Sequence, residues 1–168
     1  MIPRPDAILP APFAAIGVYL GAGALLRLEL LPRATPSWVP DTPLVREIAA
    51  QLEAYFADPA QRFDLPLAPS GTVFRRRVWQ ALPEIPVGQT LSYAELARRV
   101  GSGARAVGQA LGDNPWPIIL PCHRVVAAHG LGGFNHSVGG DELESKRWLL
   151  AHEGAHALIP QLNAHLPP

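Results

Sequence analysis

The sequence predicts a mixed α/β (α+β) chain in two parts: a small N-terminal α/β domain built on a β-hairpin, residues 1–69, and a mostly helical domain, residues 70–168, containing a helix-turn-helix. Three observations carry this. Apolar and charged residues alternate through Leu26, Arg27, Leu28, Glu29 and Leu30, the period of a half-buried strand. Two short helical patterns joined by Gly101, Ser102 and Gly103 follow later in the chain. Between them, a loop through Pro66 and Pro69 marks a domain boundary. The chain has 168 residues, 48% hydrophobic and only 17% charged, so it can bury a sizeable core and global disorder is excluded.

The hairpin is expected over Ala15 to Leu20 and Ala24 to Leu31. The uncharged stretch Ala11 to Leu26 is too short and too glycine-interrupted for a membrane span, and Asp6 spoils the basic flank of a signal peptide. A cytoplasmic protein without a membrane partner is the expectation. Past the proline-rich connector, Asp41-Thr42-Pro43 reads as a capped helix start. Leu44, Ile48, Leu52, Tyr55 and Phe56 then give that helix one apolar face, and Asp58-Pro59 ends it. After Ser70-Gly71-Thr72, Phe74, Val78 and Leu82 mark a second helix that carries Arg75, Arg76 and Arg77.

Ser92-Tyr93-Ala94-Glu95 fits a capping box, so a helix runs from Tyr93 to Val100 and Gly101 stops it. Ser102 is the expected cap of the next helix, Gly103 to about Leu111. Its first turns, Gly103-Ala104-Arg105-Ala106-Val107-Gly108, offer small side chains and one long cation: a surface that approaches a nucleic-acid groove closely, or one that packs tightly inside the protein. Between Pro115 and Pro121, Ile118-Ile119-Leu120 reads as a short buried strand. A last helix follows Gly139-Gly140-Asp141, capped by Asp141 and Glu144, with Leu143, Trp148 and Leu149 on its apolar side; the tail beyond Gly154 is expected to be loosely held.

Cys122 is the chain's one cysteine, so neither an internal disulfide nor a CxxC zinc site can form. A thiolate is the reactive form of cysteine, and His123 and Arg124 are neighbours of the kind that favour it. Adjacent residues on a strand face opposite sides, so contact between His123 and the sulfur requires a turn or a bridging water. Inert packing is the competing reading.

Pro121-Cys122-His123-Arg124-Val125-Val126 resembles the signature of the O6-alkylguanine-DNA alkyltransferases, the methylated-DNA-protein-cysteine methyltransferases. Phe74 to Leu82, Gly88 with Ser92-Tyr93, Ala104 to Gly108, Asn114-Pro115 and Trp148 to Gly154 occur in that family's order, so the similarity covers about Gly71 to Gly154. It implies a ribonuclease-H-like N-terminal domain and a winged-helix-like DNA-binding and active-site domain. It implies irreversible transfer of an alkyl group from O6-alkylguanine in double-stranded DNA to Cys122, once per molecule, with O4-alkylthymine as a second candidate substrate. His123 would act through a water with Glu153 orienting it, Tyr93 would hydrogen-bond the flipped base, and Asn114 would tie the helix-turn-helix to the cysteine turn. Arg105 would replace the extruded nucleotide, with Ala106, Gly108, Ser92, Tyr93 and Arg124 contacting DNA from the minor groove. Val125, Gly133, Phe134 and Asn135 would line the substrate pocket. No cofactor, no metal and no obligate protein partner are implied, and the protein would act as a monomer. The chain departs from the family in a longer loop around Asn135 to Glu142, with Phe134 where a tyrosine is common; His136 is expected to be exposed and is given no role.

Three alternatives compete: a non-catalytic alkyltransferase-like lesion binder, a cysteine hydrolase using Cys122, His123 and Glu153, and a transcriptional regulator built on Ser92 to Leu111. Fourteen basic residues balance fourteen acidic ones, which by itself speaks against DNA. By region the picture changes. Residues 71–130 hold seven arginines (Arg75, Arg76, Arg77, Arg98, Arg99, Arg105, Arg124) against Glu84, Glu95 and Asp113. A basic segment therefore lies on the part that bears the motifs.

Overall fold

In the computed structural model, residues 2–136 and 141–155 are described. The chain divides into two compact units, 1–70 and 71–168.

The first unit is a three-stranded antiparallel sheet, β1 (Ala7–Pro10), β2 (Ala15–Gly21) and β3 (Ala24–Leu31), in the order β1-β2-β3, followed by helix α1 (Pro43–Ala57). The hairpin lies where the alternation places it. β1 goes unseen in the sequence because four residues ending in proline are too few to display a period. The uncharged stretch Ala11 to Leu26 supplies β2 and the start of β3, with Ile16, Val18 and Leu25 fully buried, and no described helix is long and apolar enough to cross a membrane. In α1 the buried residues are Val45, Ile48, Leu52 and Tyr55. Thr42 stands at the N-cap, yet its side chain makes no capping bond, and Pro43 in the first turn makes the start. Leu44, expected on the apolar face, is only half-buried because Val45 takes the inward position.

The second unit packs α2 (Val73–Ala81), α3 (Tyr93–Val100) and α4 (Ala104–Gly112) together, with a 3-10 turn at Leu82–Glu84. Thr72 caps α2 by accepting from the Arg75 amide. The Trp79 indole donates to the Ala110 carbonyl at 2.7 Å and meets Trp116 edge-on, fastening α2 to α4 and to the chain that leaves it. In α3 the capping box is complete: Ser92 accepts from the Glu95 amide and the Glu95 carboxylate accepts from the Ser92 amide. Gly101 ends α3 with φ 69°, a left-handed geometry favoured by glycine. The next cap is Gly103, not Ser102, and α4 therefore begins at Ala104.

The strand expected at Ile118 to Leu120 is a turn. Asn114 accepts from the Trp116 amide and donates to the Leu120 carbonyl, the Leu120 amide bonds to the Trp116 carbonyl, and Ile118 takes φ 76°. A β-branched residue in that region is strained, so its local bonds and burial must hold it there. Cys122 then sits on a 3-10 turn, Cys122–Arg124, rather than on a strand. The chain leaves this turn as β5 (Val125–Val126), which pairs in parallel with β4 (Leu91–Ser92) and so couples the start of α3 to the cysteine motif.

Helix α5 (Asp141–His152) buries Ser145, Lys146, Leu149 and Leu150. Trp148, expected on the apolar side, is only half-buried and stacks on the His152 ring at 4.7 Å. Asp141, Glu142 and Glu144 occupy the first turn of α5. Residues 137–140 of the extended loop and the tail beyond Ala155, both subjects of sequence expectations, lie outside the described residues.

Candidate active site

Cys122 is 4% exposed and lies on the wall of a cavity of about 210 Å3. Ligand pockets commonly measure about 300–1,000 Å3, so this one suits a single small group. Tyr93 from the start of α3, Gly108 and Gly112 from α4, and Gly133, Phe134 and His136 from the following loop complete it, with Asn135 also on the lining. Val125 is fully buried beside the cysteine turn and is not among the residues on the cavity wall.

Burial pushes the Cys122 thiol up from its ordinary value; a hydrogen bond with Asn114 and the nearby Lys146 charge work against the rise. Asn114 thus holds both the turn that delivers the cysteine and the sulfur itself. Behind the thiol, His123 is fully buried and its Nε2 is hydrogen-bonded to the Glu153 carboxylate, which is brought there by the end of α5. Burial lowers the His123 pKa, opposed by Glu153, which favours the neutral ring. With Nε2 donating to Glu153, Nδ1 carries the lone pair. Nδ1 meets no hydrogen-bonding atom among the described residues.

Burial works to raise the Glu153 pKa, but His123 and Arg124 prevail and hold it at about 2. The Arg124 guanidinium grips the carboxylate with Nε at 3.1 and 3.0 Å and Nη2 at 2.9 Å, and its Nη1 donates to the Ile85 carbonyl at 2.6 Å. Arg124 is therefore a buried counter-ion and not the DNA-contacting residue that the sequence suggested.

Tyr93 donates through its hydroxyl to the Gly133 carbonyl at 3.3 Å, and burial raises its pKa. Gly132, at φ 70°, lets the loop lie against that ring: a Cβ there would come within 2.7 Å of it. Lys146 is the functional residue that sequence reasoning passed over. Wholly buried, it donates to the carbonyls of Val125 at 2.8 Å, Leu131 at 2.6 Å and Gly133 at 2.8 Å, binding β5 and the pocket loop to α5. Burial lowers its pKa to about 8, resisted by Cys122.

On α4, Ala104, Arg105 and Ala106 are exposed, and a Cβ at Gly108 would meet nothing within 4 Å. The small residues at the start of this helix, Ala104 and Ala106, are not taken up by internal packing. Ser92, half-buried, is committed to the capping box.

Fold and site together define a helix-turn-helix protein with one buried thiol opening on a pocket beside an exposed, small-residue helix. Residues 73–155 match the family model described as 6-O-methylguanine DNA methyltransferase, DNA binding domain. A methylated-DNA–protein-cysteine methyltransferase of Methanosarcina acetivorans is 47% identical over 122 residues, covering 71% of this chain and 75% of that protein. One from Mycobacterium leprae is 45% identical over 119 residues, 67% and 72% of the two chains. The crystal structure of Mycobacterium tuberculosis O6-methylguanine methyltransferase superposes with a TM-score of 0.72 at 37% identity, covering 88% of this chain and 91% of that one. The same protein in complex with DNA gives 0.71 at 39% identity, over the same shares of the two chains. This chain belongs to the O6-methylguanine DNA methyltransferase family.

Proposed function

We propose that this protein repairs O6-alkylguanine in double-stranded DNA by moving the alkyl group onto Cys122, once per molecule. The observation that carries the reading is the Cys122 thiol on the wall of a base-sized pocket, with a His123–Glu153–Arg124 chain behind it and an exposed α4 beside it. Nδ1 of His123, its lone pair kept available by the bond from Nε2 to Glu153, takes the thiol proton through a water. The sulfur attacks the alkyl carbon, a carbon–sulfur bond forms, and the carbon–oxygen bond breaks with its electron pair going to guanine. The base leaves neutral because the Tyr93 hydroxyl gives it a proton, and the proton first taken from the thiol returns to the tyrosine, so the thiol proton ends on guanine. Burial raises the Cys122 pKa and so disfavours the thiolate, which is why the thiol proton needs an acceptor. The product is a thioether, which no group in the site can cleave.

The target base must leave the helical stack to reach Cys122. A helix about 10–12 Å across enters a minor groove of about 6 Å only if its leading side chains are small and the groove widens. Ala104, Ala106 and Gly108 meet the first condition, and Arg105 is placed to fill the space the base vacates. Arg76, Arg77, Arg98 and Arg99 are exposed and supply a salt-sensitive attraction to phosphate. DNA is the one partner this reading needs, and the protein acts as a cytoplasmic monomer without cofactor. The division of roles would follow the two units, with DNA and chemistry in residues 71–168.

The test is a duplex whose restriction site is blocked by O6-methylguanine. Wild-type protein restores cleavage and Cys122→Ala does not. Restoration by Cys122→Ala would refute the assignment, and binding without restoration by the wild type would favour a lesion-binding role.

A further inference from the structure

The pocket has three fixed walls and one that the chain closes by contacts of its own. Cys122, Tyr93 and the α4 residues Gly108 to Gly112 sit on regular elements. The fourth wall is the loop through Gly133 to His136, where Asn135 and His136 stand at φ 49° and 63°. Two successive non-glycine residues in the left-handed region cost about 1–3 kcal/mol each, the lower end applying to Asn and His, and persist only where the surroundings impose them. Here the constraint is visible. His136 Nε2 is 2.7 Å from Asp113 Oδ1, and Asp113 Oδ2 is 2.6 Å from Arg75 Nη2. The His136 ring also lies so close over Gly112 that a Cβ there would come within 2.4 Å of it. A single chain of contacts therefore joins α2, the end of α4 and the pocket loop. All three side chains are partly exposed, at 42% for Arg75, 29% for Asp113 and 47% for His136. Such pairs add little to global stability, so their effect is to position the loop.

We propose that Arg75, Asp113 and His136 form a latch that holds the loop across the pocket, and that His136 sets the largest O6-substituent the pocket admits. This rests on the alkyl-transfer reading above. With the latch closed, a methyl group fits beside the base and a planar aromatic substituent such as benzyl meets the imidazole. Releasing the latch moves the one adjustable wall outward.

The experiment compares single-turnover rate constants for O6-methylguanine and O6-benzylguanine in the same duplex, using the full chain as wild type, His136→Ala, Asp113→Ala and Gly112→Ala. Gly112 ends a helix without positive φ, so alanine fits the backbone, and its Cβ must displace the ring. The benzyl-to-methyl ratio is expected to rise at least about fivefold in each folded variant, the change that ~1 kcal/mol supplies. An unchanged or lower ratio in the folded variants overturns the latch. Should His136→Ala not fold, Gly112→Ala decides, since it keeps the imidazole. A wild type that transfers no methyl group strikes the alkyl-transfer reading instead; one that transfers methyl while the variants keep its ratio strikes the latch alone.

Discussion

Replacing Glu153 with glutamine removes one charge and almost no volume from the most deeply buried ionic contact in the site. The loss can be reached from two directions. A carboxyl held at about 2 instead of 4.5 corresponds to roughly 3 kcal/mol at 1.36 kcal/mol per pKa unit. Independently, breaking a buried ion pair from one side costs about 3–5 kcal/mol, because the Arg124 guanidinium is left buried without its counter-charge. Glu153→Gln should therefore lose about 3–4 kcal/mol in urea denaturation at pH 7. The sign with pH is fixed by the lowered value: the stabilisation is present above pH 4.5 and disappears as pH falls towards 2, so wild type and variant converge there. Removing both charges, as Glu153→Gln with Arg124→Met, should be less damaging than Glu153→Gln alone. A loss under about 1 kcal/mol at pH 7, or a gap that persists at pH 2, would refute the reasoning.

Lys146→Met should leave three carbonyls without their donor and raise the Cys122 pKa further, seen as slower alkylation of the thiol across a pH series. Because the folded chain releases the Lys146 proton near pH 8 and the unfolded chain near 10.5, the wild type should gain stability over this variant as pH rises through that window. Arg105→Ala should slow transfer from duplex DNA far more than transfer from the free alkylated base; equal slowing would remove Arg105 from any role in base extrusion. Tyr93→Phe should slow transfer by about 10²-fold, with unchanged DNA affinity by fluorescence anisotropy, if its hydroxyl assists the leaving base.

The parts legible in the sequence are those whose cause is local. Ser92 and Glu95 lie three residues apart and specify a helix start by themselves; the alternation from Leu26 to Leu30 does the same for a strand. The turn before Cys122 was not legible, because Ile118-Ile119-Leu120 looks like any buried apolar run until the Asn114 side chain is seen to bond at both ends of it. Arg124 and Lys146 failed for a related reason. A cation in a motif or on a helix reads as a surface charge, and the groups that make them interior, Glu153 and Ile85 for one and three backbone carbonyls for the other, come from 13 to 39 residues away. His136 carried no sequence signal at all, since its meaning depends on Asp113 and on the bare surface of Gly112.

The central claim, that Cys122 is a single-use alkyl acceptor, is tested most directly by the intact mass of the protein after incubation with excess duplex containing O6-methylguanine. The expected result is a gain of one CH2, methyl in place of the thiol hydrogen, saturating at one per chain and mapping to the peptide that carries Cys122. Continued demethylation beyond one base per chain, a modification elsewhere, or no mass change with an intact thiol would contradict it.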